Sequence, residues 1–463
     1  MLRAPLLSTT ALTLMLALSP APSVADGNGA QKVTATLAGH AVIPAATFVP
    51  APADAPAALS ISGRFTGPGN RREEQLYAIE GRTWIGPKDA EKRATGLSLP
   101  FVGQPVQGFS GVSHLGEGVY LALSDNGFGS KVNSQDAMLM AHRLEPDWET
   151  GKVAILETIF LSDPDRVLPF SIQNEHTETR YLTGADFDIE AIQLIDGLMW
   201  FGDEFGPFLF ATDTSGKVVY FTETTLDGRT LHSPDHFGIR APSWPGEVSF
   251  ETRRSRGYEG MAKSPDGSLL YPLLEGPVWD AEAGAPESVG GREVLRLMEF
   301  NVADRAWTGR SWLYPLEANG HAIGDFNMIS ETRGLVIERD GNEGDAALAC
   351  PADNLDGPDC FARPAEFKRV YLIDMAGVAP GQSIKKLAYV DLLDIEDPDG
   401  LARLGGGDGK FTFPMVTIED VDVVDAEHII VGNDNNLPFS TGRAIGVPDD
   451  NEWILLHVPD LLQ

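Results

Sequence analysis

Leu182–Pro207 reads LTGADFDIEAIQLIDGLMWFGDEFGP. Two apolar runs, EAIQLI and LMWFG, flank Asp196-Gly197, a pair that supplies the positive φ a two-residue hairpin turn requires. The hairpin opens on Asp186, Asp188 and Glu190 and returns to Asp203 and Glu204, so the turn brings its carboxylates together at the open end. Four other stretches repeat this plan: Ser110–Asn126 (SGVSHLGEGVYLALSDN), Glu259–Glu275 (EGMAKSPDGSLLYPLLE), Asp325–Asp340 (DFNMISETRGLVIERD) and Glu419–Asn436. Each has its turn residues near the middle and polar residues at both ends. Polar ends recurring at one position of five hairpins predict a ring of carboxylates on one face of a repeat protein.

Outside the hairpins the chain consists of short β-branched and aromatic runs divided by Gly, Pro, Asp and Asn, with no long amphipathic helix pattern. That is an all-β signature. The hairpins recur every 66 to 94 residues, from Glu259 to Asp325 and from Asp325 to Glu419. This exceeds the roughly 40 to 45 residues of a minimal four-stranded propeller blade. The excess falls to the inserted loops Leu161–Thr183, Asp227–Arg256 and Asp340–Ala365. Phe208–Phe221, Val294–Phe300, Arg369–Ile373 and Leu387–Leu392 read as the strands that complete the blades. The fold expected is a β-propeller of six blades, with five or seven as alternatives. Pairing of Leu59–Phe65 with Trp453–Val458 would close it, as radial sheets avoid open edges.

The first 25 residues have the form of a secretory signal: Arg3, an apolar run from Ala4 to Leu18, and Ser23-Val24-Ala25 as a cleavage site. The expected product starts near Asp26, is periplasmic or secreted, and carries no membrane span. Residues 26–58 are Ala/Pro-rich and expected to be poorly ordered. Residues 59–463 are expected to form the single propeller domain. Formal charge is −32, from 67 acidic against 35 basic residues. Such a field repels nucleic acid and anionic membranes and attracts cations. Cys350 and Cys360, in a Pro/Asp/Gly-rich loop of an exported chain, are expected to form a local disulfide.

Converging carboxylates cannot all stay ionised without a cation or shared protons. Asp186, Asp188 and Glu190 alternate, which would put them on one face of an extended strand beside Asp203 and Glu204. Mixed carboxylates, Asn side chains and carbonyls suit Ca²⁺ better than Zn²⁺, with another divalent ion as the alternative. The competing reading is a set of Asx turns and solvated loop tips. The other open ends vary the theme with Asp125-Asn126, Glu275-Gly276, Glu338-Arg339-Asp340 and Asp434-Asn435-Asn436. Arg256 and Arg339 lie beside acidic ends, and Lys131, Arg180 and Arg443 flank others. Each could clamp an anionic substrate or form a structural ion pair. There is no G-x-S-x-G elbow, H-E-x-x-H, P-loop or dinucleotide fingerprint.

GFSGVSHL…LSDNGFGSK, LTGADFDIEAI…WFGDEFGPFL, SRGYEGMA…YPLLEGP, LVIERDGNEGD and TIEDVDVV…GNDNNLPFSTGR resemble, in order, motifs of the phytase-like family of exported bacterial proteins, labelled "esterase-like activity of phytase". The likeness runs from about Gly63 to His457. It implies one β-propeller-like domain, a phosphoric-ester hydrolase activity, and acidic positions at Asp186, Asp188, Glu190, Asp203, Glu204, Glu259, Glu275, Glu338, Asp340, Glu419 and Asp434.

The reading is an exported, metal-dependent hydrolase of phosphoric esters, acting as a monomer on a small anionic substrate. Asp125, Asp186, Asp188, Glu190, Asp203, Glu204, Glu338, Asp340, Glu419 and Asp434 would serve the metal. Glu259 or Glu275 would act as general acid or base, and Arg256 or Arg339 would stabilise transferring charge. Asn126, Lys131, Arg180, Asn435, Asn436 and Arg443 would contact substrate. The alternatives are a non-catalytic, calcium-stabilised propeller that binds a ligand or partner, and a carboxyl-ester or lactone hydrolase.

Overall fold

The computed structural model describes residues 29–66, 77–83, 91–240, 248–355, 357 and 359–463. The expected signal segment lies outside them. The strands that build the ring are β1 (Gln31–Lys32), β2 (Thr36–Ile43), β3 (Phe109–Gly116), β4 (Val119–Ser124), β5 (Met140–Asp147), β6 (Lys152–Phe160), β7 (Ile189–Ile195), β8 (Leu198–Asp203), β9 (Phe208–Asp213) and β10 (Val218–Glu223). They continue as β11 (Tyr258–Lys263), β12 (Leu269–Leu274), β13 (Arg292–Asn301), β14 (Ala306–Pro315), β15 (Ala322–Met328), β16 (Arg333–Arg339), β17 (Lys368–Asp374), β18 (Lys385–Asp391), β19 (Thr417–Val423), β20 (His428–Asp434) and β21 (Asn451–His457).

Four antiparallel sheets, β3 to β6, β7 to β10, β11 to β14 and β15 to β18, are blades one to four. The fifth is β19, β20, β21 and β2, with Thr36 paired to His457 and Ile43 to Asn451. The quoted hairpins form the two inner strands of the blades. Asp196 and Gly197 sit at φ 48° and 77°, as a two-residue hairpin turn demands.

Each adjacent pair of blades encloses its own apolar seam. Leu121, Leu123, Ile189 and Phe201 join blades one and two; Trp200, Leu209, Met261 and Phe300 join two and three. Tyr271, Leu297, Phe326 and Tyr371 join three and four, and Leu335, Val370, Ile418 and Val431 join four and five. Phe109, Tyr120, Ile430 and Trp453 join five back to one. Five seams mean five blades, one fewer than expected. Burying one such side chain contributes about 1.5–3 kcal/mol, so the seams far outweigh surface ion pairs of about 0–1 kcal/mol.

An N-terminal strand pairs with the C-terminal strand to close the ring, as expected, but that strand is not Leu59–Phe65. Thr36–Ile43, within the segment 26–58 read as poorly ordered, is the strand that pairs with the C-terminal strand; Ile61–Ser62 pairs instead with Phe101–Val102. Leu37, Ala41 and Ile43 are buried, and this burial offsets the ordering of a segment whose Ala/Pro content argues against structure. The terminal strand completes the fifth blade rather than founding a sixth. β2 also touches β6 in parallel at Lys152 and Val42, and β1 adds to blade four beside β18.

The inner strands crowd the axis. A Cβ on Gly324 would lie 1.8 Å from the carbonyl oxygen of Ile418, so blades four and five can meet there only through glycine. Further along the axis a polar plug ties all five inner strands. Gln193 Nε2 donates to Met261 O (2.8 Å) and Asn327 Oδ1 (2.7 Å), and Asn327 Nδ2 donates to Val421 O (2.7 Å) and Val112 O (3.3 Å).

Candidate active site

In every blade the register slips where the innermost strand begins. The slip falls between Ile189 and Ala191, Tyr258 and Gly260, Ile323 and Phe326, and Ile418 and Asp420, and opposite Ala122 and Ser124 in blade one. A bulge leaves one residue unpaired and re-aims its side chain. The residues freed are Glu190, Glu259 and Glu419, with Gly324 and Ser110 at the equivalent places. On each second strand, the residue that follows the partner of the last residue before the bulge faces them: Asp125, Glu204, Glu275, Arg339 and Asp434. One repeated irregularity thus builds two stacked tiers, acidic except for Ser110, Gly324 and Arg339.

Asp188 joins the ring from the approach to β7. Its backbone N–H donates to Asp203 Oδ1 (2.8 Å), and its carboxylate accepts from Asn126 Nδ2 (2.5 Å). Ligand oxygens of Asp188, Glu190 and Glu204 lie within 4.8 Å of one another, and so do those of Glu204, Glu259 and Glu275. Arg339 NH2 donates to Glu419 (2.7 Å), Glu275 (3.3 Å) and Glu259 (3.5 Å). Arg256 also bonds Glu275, and Ser110 Oγ donates to Glu419 Oε2 (2.8 Å).

Burial, followed by neighbouring carboxylates, pushes Glu190, Glu204 and Glu259 well above the usual carboxylate range. Asp125 and Asp434 are raised well above it by the same two causes. Glu204 Oε1 is buried with no hydrogen-bond partner. The ring offers oxygen donors and no His or Cys, and this donor set fits a hard divalent cation.

The structure places the remaining expected residues elsewhere. Asp186 lies in a turn rather than on a strand, accepting from Gln173 N (2.6 Å) and Thr183 N (2.8 Å); burial raises it to about 6. Asp203 accepts from Asp188 N and Gly206 N (2.7 Å) and is raised to about 7 by burial. Both shape the loop that delivers Asp188. Glu338 turns away between Lys386 Nζ (2.6 Å), Tyr314 Oη (2.9 Å), Glu317 N (2.6 Å) and His321 Nδ1 (3.0 Å). Asp340 pairs with Lys368 Nζ (3.0 Å) and accepts from Glu366 N and Phe367 N.

Arg180 is buried against Asp163 (3.0 Å) and Glu175 (2.8 Å), and Arg443 forks onto Glu452 (2.8 and 2.6 Å). Asn435 bridges Gly108 N (3.1 Å) and Asp449 O (3.0 Å), and Asn436 bonds Thr417. Lys131 sits over the Phe205 ring and donates to Asp235 O (3.2 Å). Cys350 and Cys360 are disulfide-bonded. Sequence reasoning did not select Ser110, or Gln107, whose Nε2 donates to Asp125 Oδ1 (3.0 Å). Aligning the bulges, rather than the acidic letters, would have found Ser110.

Glu223, His232 and His236 make another cluster of potential ligands. Gly238 N–H donates to His236 Nδ1 (2.9 Å), which leaves the ring proton of the neutral tautomer on Nε2, toward Glu223 (3.2 Å).

No helix among the described residues is long and apolar enough to cross a membrane. Among curated proteins none matches the chain. Of solved structures, it is similar to a luciferin-regenerating enzyme at 10% identity, covering 82% of this chain and 91% of that one with a TM-score of 0.33. The C-terminal WD40 domain of Sif2 aligns at 8% identity over 76% and 96%, with a TM-score of 0.26. A family model described as phytase-like, esterase-like activity of phytase, spans residues 104–437, which include every residue of the carboxylate ring. The chain therefore belongs to the phytase-like family, whose description implies a hydrolase-type enzyme on a propeller-like fold.

Proposed function

We propose that the protein is an exported, Ca²⁺-dependent hydrolase of phosphoric mono- or diesters, acting on small anionic substrates as a single chain. The observation that carries the reading is the bulge repeated in all five blades, which concentrates buried carboxylates around two guanidinium groups. Asp188, Glu190 and Glu204 would hold the cation, with Asp125 adjoining and the partnerless Glu204 Oε1 among the ligands. When bound, the ion supplies positive charge to a phosphoryl oxygen and acidifies a water.

The chain's own residues divide the remaining work. The Arg256 side chain is 46% exposed, against 8% for Arg339, so Arg256 is the guanidinium that can meet a substrate oxygen while Glu275 fixes its orientation. Arg339 holds Glu259, Glu275 and Glu419 in place. Glu259 stands at the cation-bearing side of that group and can hold or deliver a proton. Asn126 orients Asp188 while its own Oδ1 accepts from Phe128 N (3.0 Å) and Gly129 N (2.7 Å).

The test is turnover of p-nitrophenyl phosphate, bis-p-nitrophenyl phosphate, phytate, p-nitrophenyl acetate and a lactone by purified protein, chelated and then reloaded with Ca²⁺ or Mn²⁺. Calcium-dependent phosphoester hydrolysis that Glu190→Gln abolishes is expected. Turnover of the acetate or lactone alone would reassign the substrate class. A second reading, a structural Ca²⁺ in a propeller that only binds a ligand, draws support from the deep burial of the ring. It expects thermal stabilisation by Ca²⁺ with no turnover of any ester.

A further inference from the structure

The ring's two acidic triads meet at Glu204, yet they are not equivalent. Glu259 and Glu275 already contact Arg339, and Glu275 also contacts Arg256. Among the described residues no Lys or Arg pairs with Asp188, Glu190 or Glu204; Arg256 acts on Glu204 only through its field. Lys131 is turned aside over Phe205, and its charge falls on Asp186 and Asp203.

Formal charges make the division plain. Asp188, Glu190 and Glu204 form one group with no cationic side chain against it, and Asp125 lies between Asp188 and Asp434. Glu259, Glu275, Glu419 and Asp434 form the other, with four carboxylates and two arginines. Glu204 Oε1, buried and without a partner, sits where the groups join. Blade four explains the asymmetry. Gly324 can carry no side chain beside Ile418 O, so that blade gives the inner tier no carboxylate, and its outer-tier residue is Arg339.

We propose that the ring takes one divalent cation, at Asp188, Glu190 and Glu204, and that Arg339 acts as a built-in substitute for a second cation at Glu204, Glu259 and Glu275. The inference rests on the cation reading above but adds a count and an address. Removing Arg339 should open the second position, so a one-ion site becomes a two-ion site.

The experiment is calorimetric titration of chelated protein with CaCl₂ and separately with MnCl₂, together with elemental analysis of the desalted protein. One ion per wild-type chain is expected. Glu190→Gln should weaken binding by about tenfold or more, because affinity follows ligand charge. Glu259→Gln should change it by less than about threefold. Arg339→Met should bind two ions. Two ions on the wild type, one on a folded R339M, or equal losses in E190Q and E259Q would overturn the partition and leave the cation reading intact. No ion on the wild type would overturn both. Should R339M fail to fold by circular dichroism, the contrast between E190Q and E259Q decides alone.

Discussion

Arg339→Met in chelated buffer is the most direct test of how the ring is held together. The guanidinium is nearly buried and lies 2.7, 3.3 and 3.5 Å from Glu419, Glu275 and Glu259. Methionine keeps much of the side-chain volume and removes only the charge and its donors. Breaking a buried pair by deleting one partner costs about 3–5 kcal/mol, because the remaining charge stays desolvated. Unfolding entropy near Tm is about 2.1 cal/mol/K per residue, or about 0.9 kcal/mol/K for a chain of this length. The expected drop in Tm is therefore about 3–6 °C by differential scanning calorimetry. Adding Glu419→Gln to R339M should recover part of the loss, since it removes one of the orphaned charges and keeps an acceptor for Ser110. Arg339→Lys should fall between, because one ammonium cannot satisfy three carboxylates in a fork. If R339M melts within about 1 °C of wild type without metal, the guanidinium does not compensate the ring and the reasoning fails.

Ring closure is tested by Leu37→Asp, which puts a charge into a buried position of β2 and should cost at least about 3 kcal/mol in urea unfolding; Ile61→Asp, outside the seams, should stay within about 1 kcal/mol. Ca²⁺ at about 100 times its wild-type Kd should stabilise the wild type by about 2.7 kcal/mol, a rise of about 3 °C that the weaker binding of Glu190→Gln should cut by at least about half. Asp449 gives the pH test, because burial raises its carboxyl to about 7, against about 3.9 in an unfolded chain. Between these values the folded state binds the extra proton, so this group's contribution weakens as pH rises from about 4 to about 7 and is restored on acidification. Asp449→Asn should flatten the urea-derived stability slope in that window by up to about 1.4 kcal/mol per pH unit, and an unchanged slope would remove Asp449 as its source.

The hairpins, and hence most of the fold, were legible because their signals are local. Asp196-Gly197 fixes a turn, and the alternation around it fixes two strands. What escaped depends on partners distant in the chain. Thr36–Ile43 looks like the start of an Ala/Pro tail until His457 and Asn451 are set beside it. Charge alone could not distinguish Arg180, Glu338 and Arg443, which end in buried pairs with Asp163, Lys386 and Glu452, from ring members. Their partners lie 17, 48 and 9 residues away, on other strands or loops.

Within the ring, the acidic letters pointed to the right ends but not always to the right residue. Asp203 and Glu204 are adjacent, yet one caps backbone amides and the other faces the axis, because the bulge fixes which residue continues past the pairing. Blade four is the instructive copy. Read by acidity, it offers Asp325, Glu338 and Asp340; read by register, it offers Gly324 and Arg339. The glycine is imposed by the carbonyl of Ile418, and a carboxylate in place of Arg339 would add charge to a cluster left with Arg256 alone. The copy that departs from the repeat is therefore the one that makes the repeat electrostatically tolerable. Its arginine belongs to the site as much as the carboxylates it departs from.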